Sequence, residues 1–262
     1  MKKTVTVGLI QMAMADGPAE NLRHAIELID RAAKQGAEVV CLPELFNSRY
    51  FAQYKKSAAL SEPIPGKTTA ALAGVAKANK IVLIGGSIHE DAGKRFNTSV
   101  VFGPDGKLLG AYRKTHVPQD KSYYERNYFS QGDTGFKVFS TPFGKLGVLI
   151  CFDQWFPEAT RIEALMGAEI VFYPTAIGIV EGVDQTEGDW QEAWENVMRG
   201  HAIANSIVVC AANRVGKEDQ MKFFGGSFVC NAFGKTLVRG SDKEEIVLAL
   251  SLIHISEPTR PY

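Results

Sequence analysis

An α/β layered fold with a mixed sheet is what the chain predicts. Three observations carry this: strand-like and helix-like stretches alternate, one strand pair is joined by a tight-turn sequence, and no linker breaks the series. Val5 to Met12 reads as a strand, and Glu20 to Lys34 places Leu22, Ala25, Ile26, Ile29, Ala32 and Ala33 at helical spacing, with Gly36 as its stop. Glu38 to Leu42 returns to strand and completes a strand-helix-strand unit. The order recurs with Thr68 to Asn79 as helix and Ile81 to Ile88 as strand, then with Glu158 to Leu165 as helix and Ala168 to Tyr173 as strand. Between these, Phe96 to Phe102 and Lys107 to Arg113 flank Gly103-Pro104-Asp105-Gly106, whose residues suit a hairpin turn, so the sheet is not purely parallel. Trp190 to Ala204 is a further helix. Strands follow at Ile207 to Ala212, Gly226 to Asn231 and Thr236 to Arg239, the last two joined around Gly234.

This is one domain, and 262 residues are enough to bury its core without disulfides or metals. The 29 Lys+Arg balance 29 Asp+Glu, which gives no electrostatic pull toward nucleic acid or an anionic membrane. No apolar run approaches the roughly 18 residues of a membrane span, and the first residues lead into a strand pattern instead of a signal-peptide core, so a cytoplasmic protein is expected. Cys41, Cys151, Cys210 and Cys230 share no CxxC spacing, which argues against a zinc site or a disulfide framework.

Chemistry is best sought at Gly147-Val-Leu-Ile-Cys151, an apolar strand that ends on a cysteine before polar residues and a helix. The carboxyl end of a strand is where open α/β sheets bind ligands. A cysteine there can be a nucleophile or a buried small hydrophobe; Cys41, Cys210 and Cys230, inside apolar strands, read as the latter. A nucleophile needs a proton acceptor and a group to hold an oxyanion. His24 sits on a solvated helix face, His89 at a strand end, His201 within a helix as a packed polar residue, and His116 in a Lys-Thr-His-Val-Pro loop. Glu44, wedged between Pro43 and Leu45 at the end of the Glu38 to Leu42 strand, lies on the same edge as Cys151 and would be partly desolvated, raising its pKa toward general-base range. Lys114 ends a hairpin strand, where a cation favours a thiolate or an oxyanion. Taken singly, Glu44 and Lys114 read more often as surface charges.

Taken together, Pro43-Glu44-Leu45-Phe46, Tyr112-Arg113-Lys114-Thr115-His116-Val117-Pro118, Tyr124-Glu125 and Cys151-Phe152-Asp153-Gln154-Trp155-Phe156-Pro157-Glu158 resemble the successive signatures of the nitrilase (carbon-nitrogen hydrolase) superfamily, over residues 4 to about 249. The resemblance implies a four-layer αββα sandwich. It implies Glu44 as general base, Lys114 as oxyanion support, Cys151 as nucleophile and Glu125 as the residue that orients the site. It further implies a small-molecule linear amide as substrate, no metal or organic cofactor, and a homodimer or higher homo-oligomer. Substrate contacts are expected at Tyr50, Phe152, Trp155, Thr175, Ala176 and Glu181. Relatives that act on carbamoyl amino acids tend to place arginine just after the cysteine, where Asp153-Gln154-Trp155 stands here. The loop with Glu181, Asp184, Glu187 and Asp189 holds no Lys or Arg and suits a substrate ammonium, so a carbamoylated amine is favoured. The nearest rival reading is another amidase of the superfamily, acting on a linear ω-amide or a carbamoyl amino acid; a non-catalytic ligand-binding or scaffold protein is the rival of another class, and the presence of all four site residues argues against it.

Leu250 to Tyr262 reads LSLIHISEPTRPY and resembles the translation of a sequencing-library adapter. The expectation is a domain over 1–249, truncated at its end, with 250–262 a foreign tail, and His254 is discounted as a functional residue. The competing reading is a genuine strand over Ile246 to Ile253.

Overall fold

The structure is a computed structural model that describes residues 4–58, 61–184 and 186–252. Its elements run β1 (Thr4–Gln11), α1 (Pro18–Lys34), β2 (Val39–Cys41), α2 (Lys67–Asn79), β3 (Val82–Ile84), β4 (Ile88–Asp91), β5 (Arg95–Phe102), β6 (Leu108–Arg113), β7 (Val138–Thr141) and β8 (Gly144–Val148). There follow α3 (Pro157–Leu165), β9 (Ile170–Pro174), β10 (Gly178–Val180), α4 (Trp190–Asn205), β11 (Val208–Ala212), β12 (Val215–Glu218), β13 (Met221–Phe224), β14 (Phe228–Cys230), β15 (Thr236–Arg239) and β16 (Glu245–Leu252).

Alternation along the strands builds the layers. In β1, Val5, Val7 and Leu9 point into one core with Val39 and Cys41 of β2 and Val82 and Ile84 of β3, while Ile10, Val40 and Leu83, of opposite parity, enter a second core with Leu28, Ile29, Leu72 and Val75 of α1 and α2. The second sheet does the same. Ile170 and Phe172 of β9 and Val208 and Cys210 of β11 join the first core, while Val171, Tyr173 and Val209 face Trp194, Met198 and Ala202 of α4. The two sheets thus meet face to face over an apolar interface, with helices on each outer face. The result is the expected four-layer αββα sandwich. Its first sheet has the order β16-β1-β2-β3-β5-β4 with β6 beside β5, and its second the order β15-β14-β11-β9-β8-β7. Both contain parallel and antiparallel pairs.

Two features depart from the sequence reading. The single strand expected over Ile81 to Ile88 is two strands, β3 and β4. Between them Gly86 adopts φ +57°, and a Cβ there would lie 2.1 Å from the Pro43 carbonyl oxygen, so glycine lets the chain turn tightly against the segment that carries Glu44. A separate three-stranded sheet, β10-β13-β12, was not anticipated. At the end of the described chain, β16 pairs antiparallel with β1 from Gln11↔Glu245 to Thr4↔Leu252, a pairing that a native strand and a foreign tail of alternating pattern make alike. The remainder of the suspected tail, 253–262, lies outside the described residues.

Candidate active site

Loops at the carboxyl ends of β2, β6 and β8 bring three of the expected residues together. Glu44 follows β2, and its N–H donates to the Thr175 carbonyl at 3.3 Å, tying the loop after β2 to the one after β9 in the other sheet. Lys114 follows β6, and its N–H donates to Asn97 O at 2.8 Å. Cys151 follows β8 and opens a short 3₁₀ turn, Cys151–Trp155, with φ +40°. A positive φ at a residue with a side chain is a strained conformation that its surroundings must hold. Asp153 holds it: the Ile150 N–H donates to Oδ2 at 2.9 Å, the Tyr112 hydroxyl to Oδ2 at 2.8 Å, and the His116 N–H to Oδ1 at 2.9 Å.

The charged centre is buried. Lys114 Nζ donates to Glu44 Oε1 and to Glu125 Oε2, each at 2.7 Å, and the side chains of Lys114, Glu44 and Glu125 are 0%, 0% and 1% exposed. Asn97 Nδ2 donates to Glu44 Oε1 at 2.7 Å, and the Tyr50 hydroxyl donates to Glu125 Oε1 at 2.7 Å. Burial pushes Glu44 up to about 7, against the opposing pull of Lys114 and with reinforcement from Glu125. Burial alone would lower Lys114, but the Glu125 and Glu44 charges outweigh it and hold the ammonium well above its ordinary value. Burial, and then the Glu44 charge, raise the Cys151 thiol well above its usual range, so the resting cysteine is a neutral thiol. Hydrogen bonding to that thiol is among the influences that lower Glu44, and a backbone hydrogen bond from Ala176 favours the thiolate. A thiol beside a carboxyl group poised near neutrality and a fixed ammonium is an arrangement able to pass one proton and hold one developing negative charge.

Cys151 opens onto a cavity of about 320 Å³. Phe152, Gln154 and Trp155 of the same turn line it, with Pro118, Asp120, Lys121 and Tyr123 from the loop after β6, Ile177, Gly178, Val180 and Val183 around β10, and Trp190 at the start of α4. Gln154 has one committed end. Its Oε1 accepts the Trp194 indole N–H at 2.8 Å, and because an indole can only donate, the other end is an NH₂ group, which has no hydrogen-bond partner among the described residues.

The other expected contacts divide. Phe152 and Trp155 line the cavity; Thr175 and Ala176 are buried in the loop after β9 beside Glu44 and Cys151; Tyr50 stands behind Glu125. Glu181 is not among the lining residues. Its side chain is 72% exposed and lies 3.8 Å from Lys217, a cation that β12 supplies from outside the acidic loop. Asp184 accepts from Thr186, and Asp189 caps α4 by accepting the N–H groups of Gln191 and Glu192. Asn97 escaped the sequence reading. His116, weighed above as a base, pairs with Asp153 at 2.7 Å and stacks on Phe156 with ring centroids 3.7 Å apart, while His201 donates to Gln154 O. Both brace the Cys151 turn. Among the described residues no group of three or more His, Cys, Asp or Glu side chains is placed to hold a metal ion.

Comparison with known proteins agrees with this architecture. The carbon-nitrogen hydrolase family profile matches residues 6–254. The chain is 40% identical over 258 residues to an N-carbamoylputrescine amidase of Solanum lycopersicum, covering 94% of this chain and 85% of that one. It is 39% identical over 249 residues to an omega-amidase of Homo sapiens, covering 92% and 86%. The crystal structure of a carbon-nitrogen hydrolase from Helicobacter pylori G27 superposes with a TM-score of 0.87 at 39% identity, covering 94% of this chain and 89% of that one. The chain belongs to the carbon-nitrogen hydrolase family, the nitrilase superfamily, and is a hydrolase that acts on amide bonds.

Proposed function

We propose that the enzyme hydrolyses N-carbamoylputrescine to putrescine, carbon dioxide and ammonia, with Cys151 as nucleophile. The observation that carries the reading is the Lys114 ammonium clamped at 2.7 Å from both Glu44 and Glu125 beside a cysteine that opens onto an apolar cavity. Glu44 takes the thiol proton, and the thiolate attacks the carbamoyl carbon. Lys114 and a backbone N–H near Phe152 stabilise the tetrahedral oxyanion, with Glu125 holding Lys114 in place. Ammonia leaves with the proton from Glu44. Water activated by the same carboxylate then releases the carbamate, which decomposes to carbon dioxide and the free amine.

The substrate is the finer part of the proposal, supported by likeness to an N-carbamoylputrescine amidase. An ω-amide is the second reading, favoured by a comparable likeness to an omega-amidase. Ammonia release from N-carbamoylputrescine, glutaramate and N-carbamoyl-β-alanine, measured side by side, separates them. The highest kcat/KM is expected for N-carbamoylputrescine, and a lead for glutaramate would move the assignment to ω-amides.

Proton transfer to Glu44 sets the acid limb of the reaction. Because burial raises this carboxyl to about 7, its base form accumulates only as pH rises through that value. The rate is therefore expected to climb with pH up to about 7 and then level off, and a profile flat from roughly pH 5.5 to 8 would remove Glu44 from the role of base.

Two further expectations belong to the same proposal. Exposed Ile162 and Leu165 on α3, with Met166 at its C-terminal cap, suit an association of copies, as a homo-oligomer requires. Four free, buried cysteines suit a reducing cytoplasm, and among the described residues no helix is long and apolar enough to cross a membrane.

A further inference from the structure

We infer that the substrate's distal ammonium is read by Asp120 together with the Trp155 and Trp190 rings, and not by the acidic loop of Glu181. The inference rests on the carbamoylputrescine reading and adds where that substrate's charge is recognised. Asp120 is the one carboxylate among the residues that line the cavity. Its backbone is fixed by a two-way bridge: its N–H donates to Tyr123 O at 3.2 Å and its carbonyl accepts the Tyr123 N–H at 2.9 Å. Tyr123 is fixed in turn, since its hydroxyl accepts the Gly178 N–H at 3.1 Å and donates to Gly178 O at 3.2 Å. The carboxylate therefore sits on a braced turn.

One oxygen, Oδ1, accepts the Lys121 N–H at 2.6 Å, and among the described residues no cationic side chain pairs with the group. Lys121, the one cation on the cavity wall, directs its ammonium to the Gly182 carbonyl at 3.4 Å. Trp155 and Trp190 meet edge to face, with ring centroids 6.4 Å apart at 78°, and both line the cavity. Two indoles at right angles offer π-faces to a cation, and indole is the best of the aromatic rings for that purpose. Phe152, Ile177 and Val180 supply apolar wall for a methylene chain. A cavity of this make-up fits a ligand with an electrophilic carbonyl at the thiol, an unbranched hydrocarbon linker and a terminal ammonium. The acidic loop offers no equivalent: none of its four carboxylates lines the cavity, and Glu181, Asp184 and Asp189 are engaged by Lys217, Thr186 and the α4 cap.

Two assays on Asp120→Asn and Trp190→Leu test this. In the first, kcat/KM is compared for N-carbamoylputrescine and for 1-pentylurea, which carries a methyl group where the former has its ammonium. Asp120→Asn is expected to cost the charged urea about 10- to 100-fold more than the neutral one, the worth of a hydrogen bond to a charged group. Trp190→Leu is expected to shift the same ratio about two- to fivefold. Equal losses on both ureas, or a larger shift of the ratio when Glu181, Asp184 and Glu187 are neutralised together, would overturn the assignment. In the second assay, putrescine slows the alkylation of Cys151 by iodoacetamide, and Asp120→Asn should abolish that protection. This readout needs no turnover. If neither urea is a substrate, the carbamoylputrescine reading falls, while protection lost in Asp120→Asn still supports the subsite and protection unchanged by it removes the subsite.

Discussion

Cys151→Ala should leave a folded protein that releases no measurable ammonia from any of the three amides. The variant deletes one sulfur atom at a cavity wall and keeps the hydrogen bonds of Asp153 to Ile150, Tyr112 and His116 that hold the strained turn. The stability cost should therefore be small, about 1 kcal/mol, the common result of a single substitution. Turnover has no such reserve. The Lys114 ammonium and the backbone donors can stabilise an oxyanion only after something has attacked the carbonyl, and Glu44 positioned for a thiol is poorly placed to direct water in its stead. Cys41→Ala is the matched control, since Cys41 is equally buried but lies in β2 within the interface between the sheets. It should lose some thermal stability and keep its activity while folded. If ammonia release and melting temperature respond alike in the two variants, or if Cys151→Ala keeps wild-type turnover, the nucleophile lies elsewhere.

What the sequence revealed follows from which interactions are local. Strand parity made the layers legible, because Val5, Val7 and Leu9 against Ile10 already declare two buried faces. Glu44, Lys114 and Cys151 each stand where an apolar or hairpin strand gives way to polar residues, but that position alone reads as surface charge or buried thiol, and only the four motifs taken together single them out. Asn97 was missed although a signal was present: in β5, Asn97 and Ser99 share the parity of Val101, which faces the core, so two buried polar side chains on that face called for polar partners. The acidic loop's surroundings were hidden for the opposite reason. Its lack of Lys and Arg suggested an unpaired negative patch, but Lys217 arrives from β12, a short Val-Gly-Lys-Glu strand with too few apolar residues to register in a hydrophobic pattern search. The carboxylate that does reach the cavity, Asp120, sits beside a lysine in the sequence and so resembled an ordinary surface pair.

Lys114→Met should be the most destabilising single change at the site, and its cost should depend on pH in a definite direction. Methionine fills a similar volume, so the loss is one of charge. Without the ammonium, Glu44 and Glu125 face each other, both buried, with the hydrogen bonds from Asn97 and Tyr50 left to satisfy two carboxyl groups. Removing one partner of a buried ion pair costs roughly 3 to 5 kcal/mol, because the remaining charge is uncompensated. Glu44, already raised by burial, escapes part of that cost by keeping its proton, its folded-state pKa moving further up once the opposing pull of Lys114 is gone. A group shifted that way supports the fold while protonated and loses that support as pH rises through its folded pKa. The deficit relative to wild type should therefore be smallest near pH 5 and grow toward pH 8, in denaturant titrations run at roughly those two values. Turnover should fall by at least on the order of a hundredfold, the usual cost of removing an oxyanion donor. Glu44→Gln should cost a similar factor in rate without the same instability, since Lys114 keeps Glu125 as a partner. Combined with Lys114→Met it should recover much of the lost stability but none of the rate. Equal deficits at both pH values, or no recovery in the double variant, would mean that the ammonium does not serve to neutralise these two carboxylates.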